Sequence, residues 1–441
     1  MKRILSILLC AVLTLGCMTS CNDSVIPDPD DGNTTLPGDN TGDNPGDNPG
    51  DNPGGNDDDP GLKSPSRVLL MYFVGTSLDV FFRDNVEAAM RAMSVDTTGD
   101  GCIIYFRRAS GTEWAIHRVS LDYKGEPQDE LLKSYPAANL SDMKYFLSEM
   151  IGFAPAESYG LVFGGHGSAW LPKSVGGAWT STYSVGTGGG SYFAPFGELP
   201  REDALPTRYF GEASVMFDVE EIAENMIETG AKFDYVIFDD CFMSNIESLY
   251  AMRHATDYII ASPCEIMAAG FPYERIVPYI FSADGCDLEG VCRAFYEFYI
   301  NYTYPSGCVA LTKCSELEEL AVRYANLLSG LTNDVDPTKL QYYEGLARHL
   351  FYDFGQYAEL LSANRVLLND FREQFDLAFP PSCRLNTPWY YTTFGSLHYI
   401  DVDYYSGVSI SEPADRNVEA NRATEWYRAT HRQQHPTVDT Y

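Results

Sequence analysis

Positive charge is scarce in this chain of 441 residues: 30 Lys and Arg stand against 62 Asp and Glu, a formal net charge of −32. Phosphate backbones are gripped through basic surface, so this balance argues against a nucleic-acid partner and suits a cationic one. Acidity also favours solubility on its own, and part of the excess lies in one N-terminal stretch. Long apolar runs are lacking as well. The N-terminal run, residues 4–15 behind Lys2-Arg3, is too short and too soon ended to span a bilayer permanently. The cysteines contain no Cys-x-x-Cys pair, which disfavours a zinc site. No internal repeat is seen in the folded part.

What stands at the N-terminus reads as an export and anchoring sequence. A short basic start and an apolar run, residues 1–20, form a signal peptide. It ends in Gly16-Cys17-Met18-Thr19-Ser20-Cys21, which resembles the lipobox of bacterial lipoproteins. Cleavage before Cys21 leaves a lipidated cysteine; Cys17 is a competing site, and an ordinary secretory signal is the alternative. The expected location is the bacterial cell envelope, lipid-anchored at the outer membrane. Residues 21–62 lack Lys and Arg and repeat units such as Gly42-Asp43-Asn44-Pro45. So little apolar surface cannot offset the entropy of ordering, and the segment is expected to be a disordered acidic tether. Its prolines and missing bidentate Glu argue against an EF-hand loop.

From residue 63 the composition changes. Continuous apolar runs at 68–74, 102–106, 159–163, 233–238 and 258–261 have the character of fully buried strands. Helical patterns lie between and after them at 81–93, 141–151, 219–227 and 243–252. Buried strands alternating with amphipathic helices predict an α/β architecture with a mainly parallel central sheet, whose active site lies beyond the carboxyl ends of the strands. Residues 63–277 form the expected core. Residues 278–441 are read as a helix-rich C-terminal subdomain, with helices over 288–299, 315–328 and 341–361 and a late strand at 408–410. The stretch 171–206, rich in Gly, Ser and Thr, is too long for an ordinary connection and is a candidate lid or cleavage-prone loop.

Two strand ends carry reactive side chains. In Phe163-Gly164-Gly165-His166-Gly167-Ser168-Ala169-Trp170 the glycines let the backbone turn sharply, and the imidazole can take a proton from a neighbouring nucleophile. In Phe238-Asp239-Asp240-Cys241-Phe242-Met243-Ser244 the cysteine lies between a strand and the expected helix, whose positive end would favour thiolate. The amides of Gly167 and Cys241 are candidate donors to a developing oxyanion. A buried, inert thiol is the bland alternative for any lone cysteine. Of the seven histidines only His166 sits in a glycine-bracketed strand end. Export permits disulfides among Cys286, Cys292, Cys308 and Cys314, with connectivity open.

These two motifs resemble the clostripain-like peptidases of the caspase and gingipain clan. In that family one strand ends in His-Gly followed shortly by Trp, matched by His166-Gly167 and Trp170, and a later strand ends in Asp-x-Cys, matched by Asp239-Asp240-Cys241. Weaker matches are Ile260-Ala261-Ser262-Pro263 with Gly270-Phe271-Pro272-Tyr273, and Ser406-Gly407-Val408-Ser409-Ile410. The resemblance implies a three-layer caspase-like sandwich and a cysteine endopeptidase with His166 as base, Cys241 as nucleophile and Gly167 with Cys241 as oxyanion hole. It also implies Asp239 in the pocket for a substrate Arg or Lys side chain, with Glu265 a weaker candidate; a locally hydrogen-bonded strand-end carboxylate is the alternative for Asp239. No cofactor is implied, although calcium activates some relatives, and some cleave themselves in a long loop; here Lys173 and Arg201 are the basic residues of such a loop. The sequence departs from the family pattern at Asp240, at Ala169 where glycine is common, and at Gly75-Thr76-Ser77-Leu78 where Asn usually follows the first strand. Protein or peptide substrates are the expected partners, beside the membrane. A lipoprotein that keeps the fold to bind without catalysis, and hydrolysis of a non-peptide amide, are the competing readings.

Overall fold

The computed structural model describes residues 65–93, 101–173, 180–182, 191–193, 205, 217–396 and 399–431. The signal peptide, Cys21, the tether, and most of 171–206 including Arg201 lie outside the described residues. Strands β1 (Arg67–Phe73), β2 (Gly101–Ser110), β3 (Glu113–Leu121), β4 (Pro127–Tyr135) and β5 (Tyr159–Gly164) are followed by a short pair, β6 (Thr180–Thr182) and β7 (Ser191–Phe193). Next come β8 (Phe233–Asp239), β9 (Tyr258–Ala261), β10 (Cys308–Lys313), β11 (Tyr352–Asp353) and β12 (Leu385–Asn386). One nine-stranded sheet has the order β12-β10-β9-β8-β5-β1-β2-β3-β4.

Its centre is parallel, from β2 through β1, β5 and β8 to β9, and these are the strands that the unbroken apolar runs predict. Both faces of such strands are covered, so alternation disappears from the sequence. Helices α1 (Asp79–Met93), α2 (Met143–Phe153), α3 (Val219–Glu228), α4 (Ile246–Met252), α5 (Tyr273–Ile280) and α6 (Leu288–Ile300) flank it, α1, α5 and α6 packing on one another and α2, α3 and α4 likewise. The antiparallel margins are where prediction fell short. β3 and β4 form an edge hairpin whose outer strand is largely exposed, so it carries no apolar run. β10 pairs antiparallel with β9 and brings the C-terminal part into the same sheet. The described residues from Pro65 onward, those beyond 278 included, belong to one compact unit.

Helices α7 (Leu317–Ser329), α8 (Phe354–Leu361) and α9 (Arg365–Ala378) belong to that part. The helix expected over 341–361 is confined to α8. Upstream, the Glu344 carboxylate accepts from the backbone N–H groups of Leu350 and Phe351, and the Gln341 amide donates to the carbonyls of Tyr342 and Asp401. Side chains thus take backbone groups that a helix ladder would need. Two short pieces complete the description, β13 (Trp389–Tyr391) with β14 (Tyr399–Asp401), and β15 (Ser409–Ile410) with β11.

Candidate active site

Register brings the two predicted strand ends level. β5 and β8 are parallel with Gly164 opposite Asp239, and Phe73 at the end of β1 lies opposite Gly164 on the other side. The chain leaving β5 at residues 165–167 and the chain leaving β8 at 240–241 therefore emerge side by side. Their backbones meet: a Cβ at Gly167 would overlap the carbonyl oxygen of Cys241 and crowd its nitrogen. Only glycine fits there, which explains Gly167 on packing grounds alone.

His166 is half-buried on a small cleft shared with Gly167, Asp240 and Met243. Its Nε2 lies 2.8 Å from the Ser77 hydroxyl, while Nδ1 is turned to the buried side. Ala169 has φ 53°, which answers the departure noted above: the position demands a left-handed residue, and alanine bears strain where glycine would not. Trp170 anchors this loop, its indole N–H donating to the Ser411 hydroxyl at 2.7 Å in a buried position.

Cys241 is completely buried. The amide of Ile266 donates to its sulfur at 3.0 Å, and the thiol lies 3.7 Å from the Ile266 carbonyl. Burial first, then the Glu265 charge, push this thiol well above the usual cysteine range; the Ile266 amide opposes them, and Asp240 adds to the upward push. This corrects the expectation of a helix-activated thiolate. Helix α4 begins only at Ile246, with Asn245 as its cap, so Cys241 sits in the preceding turn, and in this arrangement burial and carboxylates dominate. Phe242 is left-handed at φ 64°, held by its N–H to the Cys264 carbonyl at 3.2 Å and by stacking on Phe351 with ring centroids 5.1 Å apart.

Asp239, Asp240 and Glu265 are buried too. Asp239 accepts from the Phe271 N–H at 3.1 Å and the Tyr273 hydroxyl at 2.6 Å, so its carboxylate is hydrogen-bonded within the fold. Glu265 accepts from the Thr393 amide and hydroxyl. Lys173, at the start of the long connection, pairs with Glu221. Among the described residues no cluster of three or more His, Cys, Asp or Glu side chains is arranged to hold a metal ion.

Sequence reasoning missed the partners of the two loops. Ser77 was visible only as a departure after the first strand. Ser411 gave no local signal, yet it links the loops: it accepts from Trp170, and its own N–H donates at 2.9 Å to Glu247 on α4. Ser409 donates its N–H to the Ser244 carbonyl at 2.9 Å, and the Ser244 hydroxyl donates to the Gly407 carbonyl at 2.7 Å.

A mainly parallel sheet with helices on its faces, and a histidine loop and a cysteine loop leaving neighbouring strands, are the architecture of the caspase-like fold. A sequence model of the clostripain family matches residues 210–412, a stretch that holds Asp239 and Cys241 but begins after His166. No curated protein matches. Among solved structures, a secreted C11 cysteine protease from Bacteroides thetaiotaomicron, "iotapain", is 29% identical, covering 83% of this chain and 99% of its own with a TM-score of 0.70. An inactive zymogen C11 protease from Parabacteroides distasonis is 26% identical over 83% of this chain and 98% of its own, with a TM-score of 0.67. A secreted C11 cysteine protease from B. thetaiotaomicron in complex with an irreversible peptide inhibitor shares the fold at 22% identity, covering 84% of this chain and 100% of its own, with a TM-score of 0.68. Over residues 210–412 the chain carries the sequence pattern of the clostripain family, and the solved structures it resembles are C11 cysteine proteases.

Proposed function

We propose that the protein is an endopeptidase in which Cys241 attacks the peptide carbonyl, His166 moves the proton, and the residue before the cut is Arg or Lys. What carries the reading is the level ending of β5 and β8, with Gly167 packed on the backbone of Cys241 beside His166. The thiol gives its proton to the imidazole as sulfur bonds to the carbonyl carbon, and the amides of Gly167 and Cys241 meet the charge that develops on oxygen. The imidazolium then protonates the leaving amine as the C–N bond breaks, and water hydrolyses the thioester with the imidazole as base. This chemistry requires no cofactor. The charges of two buried carboxylates, Glu265 and Asp240, act on the thiol, and with Asp239, the buried end of the same strand, they would attract a cationic side chain. A carboxylate has about four acceptor sites, so Asp239 can share with a substrate while keeping Phe271 and Tyr273.

The arrangement described is a resting one. The cleft at His166 measures about 50 Å³, room for a water or two and not for a basic side chain. The cysteine loop must open before turnover, and one relative is known as an inactive zymogen. Cleavage within 171–206, at Lys173 or Arg201, is one route to opening. Anchoring through Cys21 would hold the enzyme at the cell envelope, with extracytoplasmic proteins or peptides as substrates. The sealed thiol also favours a second reading, a binding lipoprotein without catalysis.

A fluorogenic peptide panel varied at the residue before the cut, run with the wild type and Cys241→Ala, tests the proposal. Cleavage after Arg or Lys that vanishes in the variant is the expected result. Cleavage after other residues that also vanishes removes Asp239 from the pocket and leaves the nucleophile in place. Absence of cleavage and of Cys241 labelling by a peptide electrophile, after limited proteolysis and with calcium added, selects the binding protein.

A further inference from the structure

We propose that Ser77 is the positioning residue of the general base: its hydroxyl holds Nε2 of His166 and thereby assigns proton transfer to Nδ1. The inference rests on the cysteine-peptidase reading and adds to it the side chain that orients the imidazole. The contact, 2.8 Å from Ser77 Oγ to His166 Nε2, joins residues 89 apart in the chain and is short enough for a full hydrogen bond.

Its construction starts at β1. The Val74 N–H donates to the Gly164 carbonyl at 2.9 Å, which extends the β1–β5 pairing by one residue past the end of β1. The chain then reverses at Gly75, whose φ of 136° is open to glycine and costly for other residues. A one-turn 3-10 helix, Thr76–Leu78, follows, closed by the Leu78 N–H on the Gly75 carbonyl at 3.2 Å and pinned by the buried Leu78 side chain. This turn brings the Ser77 hydroxyl to the imidazole, and a Cβ at Gly75 would lie 3.9 Å from the ring carbon Cδ2, so it is the backbone angle and not space that asks for glycine there.

The consequence is chemical. A histidine has two ring nitrogens, and the partner of one decides which proton the other carries. With Nε2 bonded to an exposed hydroxyl, Nδ1 is the ring nitrogen on the buried side, and the loop that carries it runs beside the backbone of Cys241 at Gly167. A base held by a third group loses less orientation on each turnover. A hydroxyl carries no charge and can either donate or accept, so Ser77 fixes the direction of the ring without raising its basicity as a carboxylate would.

The test uses the full-length protein and the best peptide of the panel, with Ser77→Ala and Ser77→Thr. Loss of the hydroxyl is expected to lower kcat on the order of tenfold. KM should stay within about twofold, the acid limb of the kcat profile should shift, and Ser77→Thr should recover most of the rate. Proton–nitrogen NMR of the His166 ring reads the same contact without turnover: the Nε2 resonance and the tautomer balance should change in Ser77→Ala and not in Ser77→Thr. Unchanged kcat, pH profile and ring spectrum in Ser77→Ala overturn the proposal, as does an equal loss in both folded variants. If the wild type cleaves nothing, the peptidase reading fails while the ring spectrum still decides whether Ser77 holds His166.

Discussion

The histidine loop and the cysteine loop leave neighbouring strands at the same level and are built in opposite ways. The first is glycine-rich, half-exposed at His166 and held by one hydroxyl at its tip and one indole at its base. The second has no glycine between Asp239 and Ile246, is buried throughout, and is stitched to Cys264, Ser262 and the 407–411 segment through backbone groups. His166 is reachable and Cys241 is sealed. On the proposed dyad, the slow event would be opening the cysteine side, since His166 already stands at the cleft.

The largest effect is expected from removing either reactive group. Cys241→Ala should abolish peptide cleavage, a loss of about a thousandfold or more. His166→Ala should lose nearly as much, because the two act as one unit and their losses do not add. Rates on the best panel peptide decide it. A His166→Ala enzyme within about tenfold of wild type would break the comparison, since the accessible loop would then not supply the base.

A smaller effect concerns the seal. Burial and the neighbouring carboxylates hold the Cys241 thiol well above its ordinary range, so little thiolate exists at neutral pH. Alkylation of Cys241 by iodoacetamide, followed by mass spectrometry at pH 7.5, should run at least about tenfold slower than for the same cysteine in unfolded protein. The rate should climb as pH rises past the ordinary thiol range. Fast alkylation of the resting protein would show that the second loop is open in solution.

This contrast explains how much could be read from the sequence. The five central parallel strands announce themselves because both faces are buried, and the neighbouring exits of the His166 and Cys241 loops were legible because they follow those strands directly. Glycines marked the first loop, where a side chain at Gly167 would strike Cys241. The state of the second loop was illegible. Nothing local to Cys241 says that the Ile266 amide will reach its sulfur, that Glu265 will lie near it, or that α4 starts only at Ile246. The edge hairpin of β3 and β4 was equally silent, because an exposed edge strand needs no apolar run. Ser411 and Glu247, 164 residues apart in the chain, meet only through the tertiary fold.

The smallest effect falls on the link between the two loops. Glu247 is fully buried on α4, and its Oε1 accepts from the Ser411 N–H at 2.9 Å and from the Asn421 amide at 2.8 Å. Its Oε2 has no hydrogen-bond partner among the described residues. Burial raises the carboxyl from 4.5 to about 7; the Ser411 and Asn421 donors oppose the shift and the Glu412 charge adds to it. Because the folded value lies above the unfolded one, the associated stability is fully present below about pH 4.5 and is lost as pH rises through about 7. Glu247→Gln keeps the Oε1 acceptor and puts a neutral amide where the charge would form. The substitution should therefore be nearly neutral at pH 5 and stabilising at pH 8 by roughly 2 kcal/mol, a Tm rise of about 2.5 °C. Scanning calorimetry of both proteins at the two pH values measures it. An equal Tm difference at both pH values would mean that Glu247 does not titrate in the fold, and the joint between the histidine and cysteine loops would then be insensitive to protons.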